Sequence, residues 1–306
     1  MSLSFDAKVD GWRGVTRHPA PSALPSSVAL SDVDVAIAAA QAGADVVMRG
    51  FGTDHVRPAK TATDFATETD RLAEEAILEV LAAHRPHDAC TGEEFGPSGA
   101  ARSPRRWLID PLCGTLNFAA TTPLSVVNVA LTQHGLVTVA AAADPNAAEL
   151  FWTNGTSSYR RHKGQDHQLA PSATSGLIDI NCDGPTDQPF VGGQLLVDPR
   201  VRAAYGPRVI SSTLAVAWVA AGRRTAYISD GYFRDNLHFA AGIALCQAAG
   251  CPMSDLAGDP LHTGRGLVIA ADHDTHRRVL QLVTPHLQSV QQQPEGLWPA
   301  PAPYSR

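Results

Sequence analysis

The 306-residue chain has no run of Lys and Arg, no closely spaced pair of cysteines and no apolar stretch near the ~20 residues that a bilayer-crossing helix needs. Each absence removes a class of function. The 24 basic residues and 30 acidic ones leave a net charge of −6 with no basic stripe, so neither nucleic acid nor an acidic membrane surface has electrostatic support as a partner. A small-molecule substrate is the remaining expectation. The five cysteines, at 90, 113, 182, 246 and 251, are odd in number and form no C-x-x-C, which argues against a disulfide framework and a zinc ribbon. A reducing cytoplasm fits them. The first residues lack the charged start and apolar core of a signal peptide, and no internal repeat of fixed period is visible. What is present, 44% hydrophobic and 18% charged residues, describes a soluble globular chain long enough for a sizeable core in one large domain or two.

Residues 1–30 carry Pro19, Pro21 and Pro25 without any sustained period and read as an irregular arm. Ser31 then has the character of an N-cap, with Asp32 and Asp34 in the first turn of an Ala-rich helix reaching Met48. A second helix over 69–84 follows from the spacing of Leu72, Ala76, Ile77, Val80 and Leu81, which puts Asp70 in its first turn. Strands are expected at 89–91, 107–109, 126–131, 136–143 and 150–153, with Gly135 turning a hairpin. This N-terminal half, 31–170, reads as an α+β sheet domain. A C-terminal α/β half, 171–287, offers strands at 177–181, 194–197, 225–229 and 266–271, and helices at 213–221, 238–249 and 274–287. The tail, 288–306, with Gln291, Gln292, Gln293 and four prolines, reads as disordered.

The chemistry gathers at Trp107-Leu108-Ile109-Asp110-Pro111-Leu112-Cys113-Gly114-Thr115-Leu116-Asn117-Phe118. An apolar strand ends at Pro111, and Gly114-Thr115 opens a helix, so free backbone N–H groups converge where a phosphate is well held. Gly114, Thr115 and Asn117, with the more distant Lys60, are the candidate phosphate contacts. A carboxylate, a thiol and a hydroxyl lie within the same few residues.

This stretch resembles the signature of the inositol monophosphatase family, W-x-I-D-P-x-D-G-T-x-N-F, with Cys113 in place of the second Asp. Three more pieces occur in the family's order: Asp64 to Asp70 resembles D-x-V-T-x-x-D, Gly92-Glu93-Glu94 matches G-E-E, and Leu237 to Gly242 falls where the family has W-D-x-A-A-G. The resemblance covers roughly residues 30–285 and implies a magnesium-dependent, lithium-sensitive phosphatase scaffold. Its fold would be a five-layer α-β-α-β-α sandwich with the site between two halves, and its assembly a homodimer. It further implies metal ligation by Glu93, Asp110 and the Leu112 carbonyl, and a water prepared by Thr115 with Asp70. The two other family carboxylates are replaced, by Cys113 and by His238. Because those carboxylates bind one ion in the family, Cys113 and His238 are expected to be neighbours. Asp235, in a longer loop, is an alternative ligand.

Thiol and imidazole suit magnesium poorly, since it takes oxygen ligands. Three readings follow. The chain hydrolyses a small-molecule phosphate monoester with weakened magnesium on Glu93 and Asp110, or with zinc on Asp110, Cys113 and His238. Alternatively it needs no metal and uses Cys113 with His238 for acyl transfer, cyclisation or elimination, Asp110 orienting the imidazole. In the third it binds without turnover. Blander roles stand beside these: a lone Cys is commonly a small buried apolar residue, and Thr115 and Asn117 can be simple helix-start residues.

Overall fold

A computed structural model describes residues 29–52, 68–184, 190–233, 236–263 and 266–291, with side chains to residue 287. Lys60 and Asp235 lie outside the described residues, as do most of the arm and the tail beyond 291. The first half contains α1 (Asp32–Gly50), α2 (Glu68–His84), β1 (Ala89–Gly92), β2 (Gly96–Gly99), β3 (Arg105–Cys113), α3 (Thr115–Ala119), β4 (Val126–Gln133), β5 (Leu136–Asp144), β6 (Glu149–Thr153), β7 (Ser158–His162) and β8 (Gln165–Gln168). The second contains β9 (Leu177–Ile180), α4 (Val191–Val197), α5 (Pro199–Ala204), β10 (Gly206–Val209), α6 (Leu214–Ala220), β11 (Ala226–Ser229), α7 (Ala240–Ala248), β12 (Met253–Ser254), β13 (Leu267–Ala270) and α8 (His273–Gln291).

Two sheets organise these elements. The larger has the order β2-β1-β3-β4-β5-β6-β7-β8 and the smaller β10-β9-β11-β13-β12. In the larger only β1 and β3 pair in parallel, and in the smaller β10, β9 and β11 run parallel. Side chains alternate across each strand, so three separate apolar layers arise. Trp107, Ile109, Val127 and Val129 pack with α1 and α2, whereas Leu108, Val126 and Ala130 point the other way onto α6 and α7. Across that middle layer Tyr227, Leu267 and Ile269 of the smaller sheet complete the same core. Ala226, Ile228 and Val268 then face outward onto α4 and α8. The result is the five-layer α-β-α-β-α arrangement.

α1 begins where Ser31 Oγ accepts the Asp34 N–H at 3.1 Å and Asp34 returns a bond to the Ser31 backbone. The hairpin turn between β4 and β5 falls at His134 and Gly135, as the sequence predicts. Three expectations are corrected. Pro111 does not end its strand, because β3 runs on to Cys113 across an irregularity between Asp110 and Cys113. Residues 194–197 are helical: the Asp230 carboxylate accepts the N–H groups of Val191 and Gly192 at 3.0 and 2.8 Å, capping α4 from a distant loop. Four apolar or polar residues without context cannot carry that information. Finally α8 continues to Gln291, past the expected tail boundary at 288, in keeping with the fair helix propensity of Gln.

The turn after β1 depends on one close approach. Glu74, fully buried on α2, accepts the N–H groups of Glu94 at 2.7 Å and Phe95 at 3.1 Å, and a Cβ at Gly92 would overlap its Oε1. Gly92→Ala is therefore expected to lower unfolding free energy by about 1–3 kcal/mol. Chemical denaturation at neutral pH measures it, and an unchanged midpoint would exclude this role for Gly92.

Candidate active site

The end of β3 builds the site. Asp110 is fully buried, and its Oδ1 accepts the Leu112 N–H at 3.2 Å across the irregular step in the strand. Gly114 follows at φ 104°, and a Cβ there would stand 2.7 Å from the Leu124 carbonyl oxygen, so only glycine turns the chain here without strain. Thr115 then opens the five-residue α3, and its Oγ1 shares a proton between Leu112 O at 3.1 Å and Asp70 Oδ1 at 3.2 Å. The carboxylate of α2 and the hydroxyl of α3 thus form one unit.

The C-terminal elements close over this point. His238, just before α7, places Nδ1 2.9 Å from Asp110 Oδ2 and 4.0 Å from Glu93 Oε2. The Thr213 N–H donates to Cys113 Sγ at 3.3 Å, and Ser212 Oγ donates to the Cys113 carbonyl at 3.3 Å. Asn128, buried on β4, donates to Thr213 Oγ1 at 2.9 Å and to the His238 carbonyl at 3.3 Å. One amide therefore ties together the two segments that reach across from the second half. Ligand atoms of Asp110, Cys113 and His238 all lie within 4.8 Å of one another.

Burial and the Asp110 carboxylate push the Glu93 carboxyl well above the usual range, with His238 opposing them. The Glu93 side chain retains 28% exposure and lines the cavity. Cys113 is pushed up as well, chiefly by burial and then by Asp110, with the Thr213 N–H acting in the opposite sense. Its sulfur is a protonated thiol at neutral pH.

These groups open onto a cavity of about 610 Å³ lined from both halves, by Glu93, Cys113, Gly114, Thr115 and His238 on one side and by residues 181–184 and 211–213 on the other. Asp70 and Asp110 stand behind the lining, linked to it through Thr115 and His238. Asn117 is not part of it. Both amide hydrogens of Asn117 go to backbone carbonyls, of Leu124 at 3.0 Å and of Ser211 at 2.9 Å, so it braces the loop instead of facing a phosphate.

The sequence profile described as the Inositol monophosphatase family matches residues 30–292. The chain belongs to this family. It is 31% identical over 229 residues to an inositol-1-monophosphatase of Mesorhizobium japonicum, covering 72% of this chain and 83% of that one. It is 28% identical over 268 residues to a putative Nus factor SuhB of Neisseria meningitidis, covering 83% and 98%. Among solved structures, the extragenic suppressor protein SuhB of Bartonella henselae superposes with a TM-score of 0.72 at 25% identity, over 82% of this chain and 97% of that one.

Within this inositol monophosphatase fold several contributors were not legible as site residues. Glu74 reads as one more acid on an amphipathic helix. Asn128 carried a usable signal, a single amide inside the apolar strand Val126 to Leu131. Asp183 and Tyr227 carried none, because nothing near them in the sequence points to the cavity that they line.

The raised thiol gives a direct expectation. With a pKa above that of a free cysteine, Cys113 holds less thiolate at mildly alkaline pH, and site-resolved mass spectrometry should show alkylation by iodoacetamide slower than that of a free thiol by about tenfold or more. Faster alkylation would mean an activated nucleophile.

Proposed function

We propose that this family member hydrolyses small-molecule phosphate monoesters at a single-ion centre remodelled for a softer divalent metal such as zinc. The observation that carries the reading is the convergence of Asp110, Cys113 and His238 within 4.8 Å beside the Thr115–Asp70 pair. The family is generally magnesium-dependent, and the donor set tests that expectation here. An octahedral, all-oxygen magnesium site does not fit where a thiol and an imidazole stand in for two carboxylates, whereas one carboxylate, one thiolate and one imidazole make a plausible three-ligand zinc set. Glu93 and the Leu112 carbonyl supply oxygen at the edge of the same point, and a weakened magnesium there is the poorer form of the same proposal.

When bound, the ion would neutralise phosphoryl charge and acidify water. The protein's own groups do the rest. Thr115 Oγ1 orients water at the cavity wall, and Asp70 receives its proton through that hydroxyl. Glu93, with its raised pKa, limits the negative charge that a phosphate must approach. The rim of Ser211, Ser212 and Thr213 shapes the side from which the organic group enters.

A metal-free reading has one observation in its favour, the Asp110–His238 bond at 2.9 Å, which orients an imidazole next to a thiol. The raised thiol weighs against it, since a nucleophile of this kind needs a depressed pKa. Binding without turnover, suggested by relatives that bear the name of a Nus factor, has no residue of this site to favour it.

Zinc must displace the proton of Cys113, so its affinity should rise by about tenfold per pH unit across the neutral range. Calorimetry in buffers of different ionisation heat should show proton release, and cobalt in place of zinc should give a sulfur-to-metal charge-transfer band that is lost in Cys113→Ser. No zinc uptake, or a band that survives the substitution, would sink the soft-metal centre. Conversely, Cys113→Asp with His238→Asp restores two oxygen ligands and should raise magnesium-dependent hydrolysis of a generic aryl phosphate by about tenfold. A fall in that activity would count against the hydrolase reading.

A further inference from the structure

We propose that Glu74 is a positioning residue for the site: it aims the Glu93 carboxylate into the cavity by holding the backbone of the turn that carries it, and it sets that carboxylate in register with Asp70. The proposal rests on the hydrolase reading only in taking Glu93 to face the reacting phosphate and its ion.

Glu93 stands where a chain is ordinarily loose. Residues 93–95 form the turn between β1 and β2, and turn residues are commonly the least fixed part of a sheet. Here every N–H of the turn has an acceptor. The Glu93 N–H donates to the Ile109 carbonyl at 3.2 Å, one residue before Asp110, and the Glu94 and Phe95 N–H groups donate to Glu74 Oε2 and Oε1 at 2.7 and 3.1 Å. The Arg71 guanidinium covers the Phe95 ring at 5.3 Å from its centroid, so α2 meets the turn a second time.

Helix geometry links this turn to the rest of the site. Asp70 and Glu74 are four residues apart on α2 and share one face. Asp70 meets Thr115 Oγ1 directly, whereas Glu74 is 0% exposed, does not line the cavity and reaches the site only through the turn. One helix face thus places two carboxylates, one by contact and one through the backbone. A shift of α2 would carry both together and keep their separation.

The chemistry at position 74 is as restricted as its place. Both carboxylate oxygens accept, so a glutamine would present its NH2 to one of the two N–H groups, and an aspartate would fall one methylene short. A residue that only filled space would tolerate glutamine, which has the same shape. From the other side Gly92 leaves no slack, because a Cβ there would overlap Oε1.

Carboxyl-carbon NMR of isotopically labelled, chelator-treated protein reads the setting of Glu93 without metal or turnover, so that failure of this proposal is separable from failure of the hydrolase reading. The Glu93 resonance is the one lost in Glu93→Gln. Glu74→Gln and Gly92→Ala should both move it, and Ile77→Val, which trims a fully buried side chain on the same helix, should not. Gly92→Ala keeps the Glu74 charge and displaces its oxygens, so it separates position from charge and decides the matter if Glu74→Gln does not fold. An unmoved resonance in Gly92→Ala, or an equal movement in Ile77→Val, would overturn the proposal. With cobalt as the probe ion, Glu74→Gln should weaken affinity by about tenfold and have no further effect in a Glu93→Gln background. Equal losses in both backgrounds would overturn a role exerted through Glu93. Absence of cobalt uptake by wild type would count against the soft-metal centre alone, and the resonance would still decide this proposal.

Discussion

The contact between Asp110 and His238, 2.9 Å long, joins the two halves of the site. A fully buried carboxylate is expensive to keep charged unless something opposite in charge or rich in donors meets it. Asp110 has only the Leu112 N–H within its own strand segment, and that bond belongs to the local turn. The imidazole must therefore come from the far side. That requirement fixes the approach of α7, and with it the position of Phe239 and the middle apolar layer in which Tyr227 and the α6 residues pack.

The same demand explains the polar residues around it. Asn128 sits in the apolar part of β4, and its amide reaches both Thr213 and the His238 carbonyl. Thr213 in turn supplies the N–H that meets the Cys113 sulfur. Loss of carboxylates at 113 and 238 has not loosened the site, because the replacements are hydrogen-bonded into it. A site under no constraint would be expected to lose its supporting bonds together with its ligands. Here the side chains at 113 and 238 differ from the family signature, and the hydrogen bonds that position them are present.

Most of the fold was readable from the sequence where an element follows its own period. α1 and α2 have helical spacing and β3, β4 and β5 contain apolar runs buried on both faces, and their cores fall where those patterns place them. The misread pieces share a cause: their conformation is settled by a partner far away in sequence. α4 starts on the Asp230 carboxylate, and the extension of β3 through Pro111 depends on pairing with β4 at Val126. The site was legible as far as the motifs extend, to Glu93, Asp110, Cys113, Thr115, Asp70 and His238. Asn117 was given to phosphate on motif position alone, and its two backbone bonds show what position cannot show. Asp183 and Tyr227 were invisible because one lies in the loop after β9 and the other on β11, segments far apart in sequence that come together only when those two strands pair.

The two replacements also have to be considered together. A thiol alone at position 113 would remove one oxygen ligand and leave the remaining carboxylates to repel one another. Histidine alone at 238 would bring a nitrogen donor to a site with a carboxylate at 113, crowding a base between three acids. With both changes the local negative charge falls by two, the imidazole has Asp110 as its partner, and the thiol stays neutral under burial. The centre thereby carries less like-charge repulsion in the absence of an ion than a cluster of four carboxylates would. Lower repulsion without metal permits selectivity by ligand type: a hard ion gains too little from sulfur and nitrogen to displace the existing bonds, while a soft one gains more from each. On the proposed soft-metal reading, the pairing of Cys113 with His238 is a coherent change in what the site would accept.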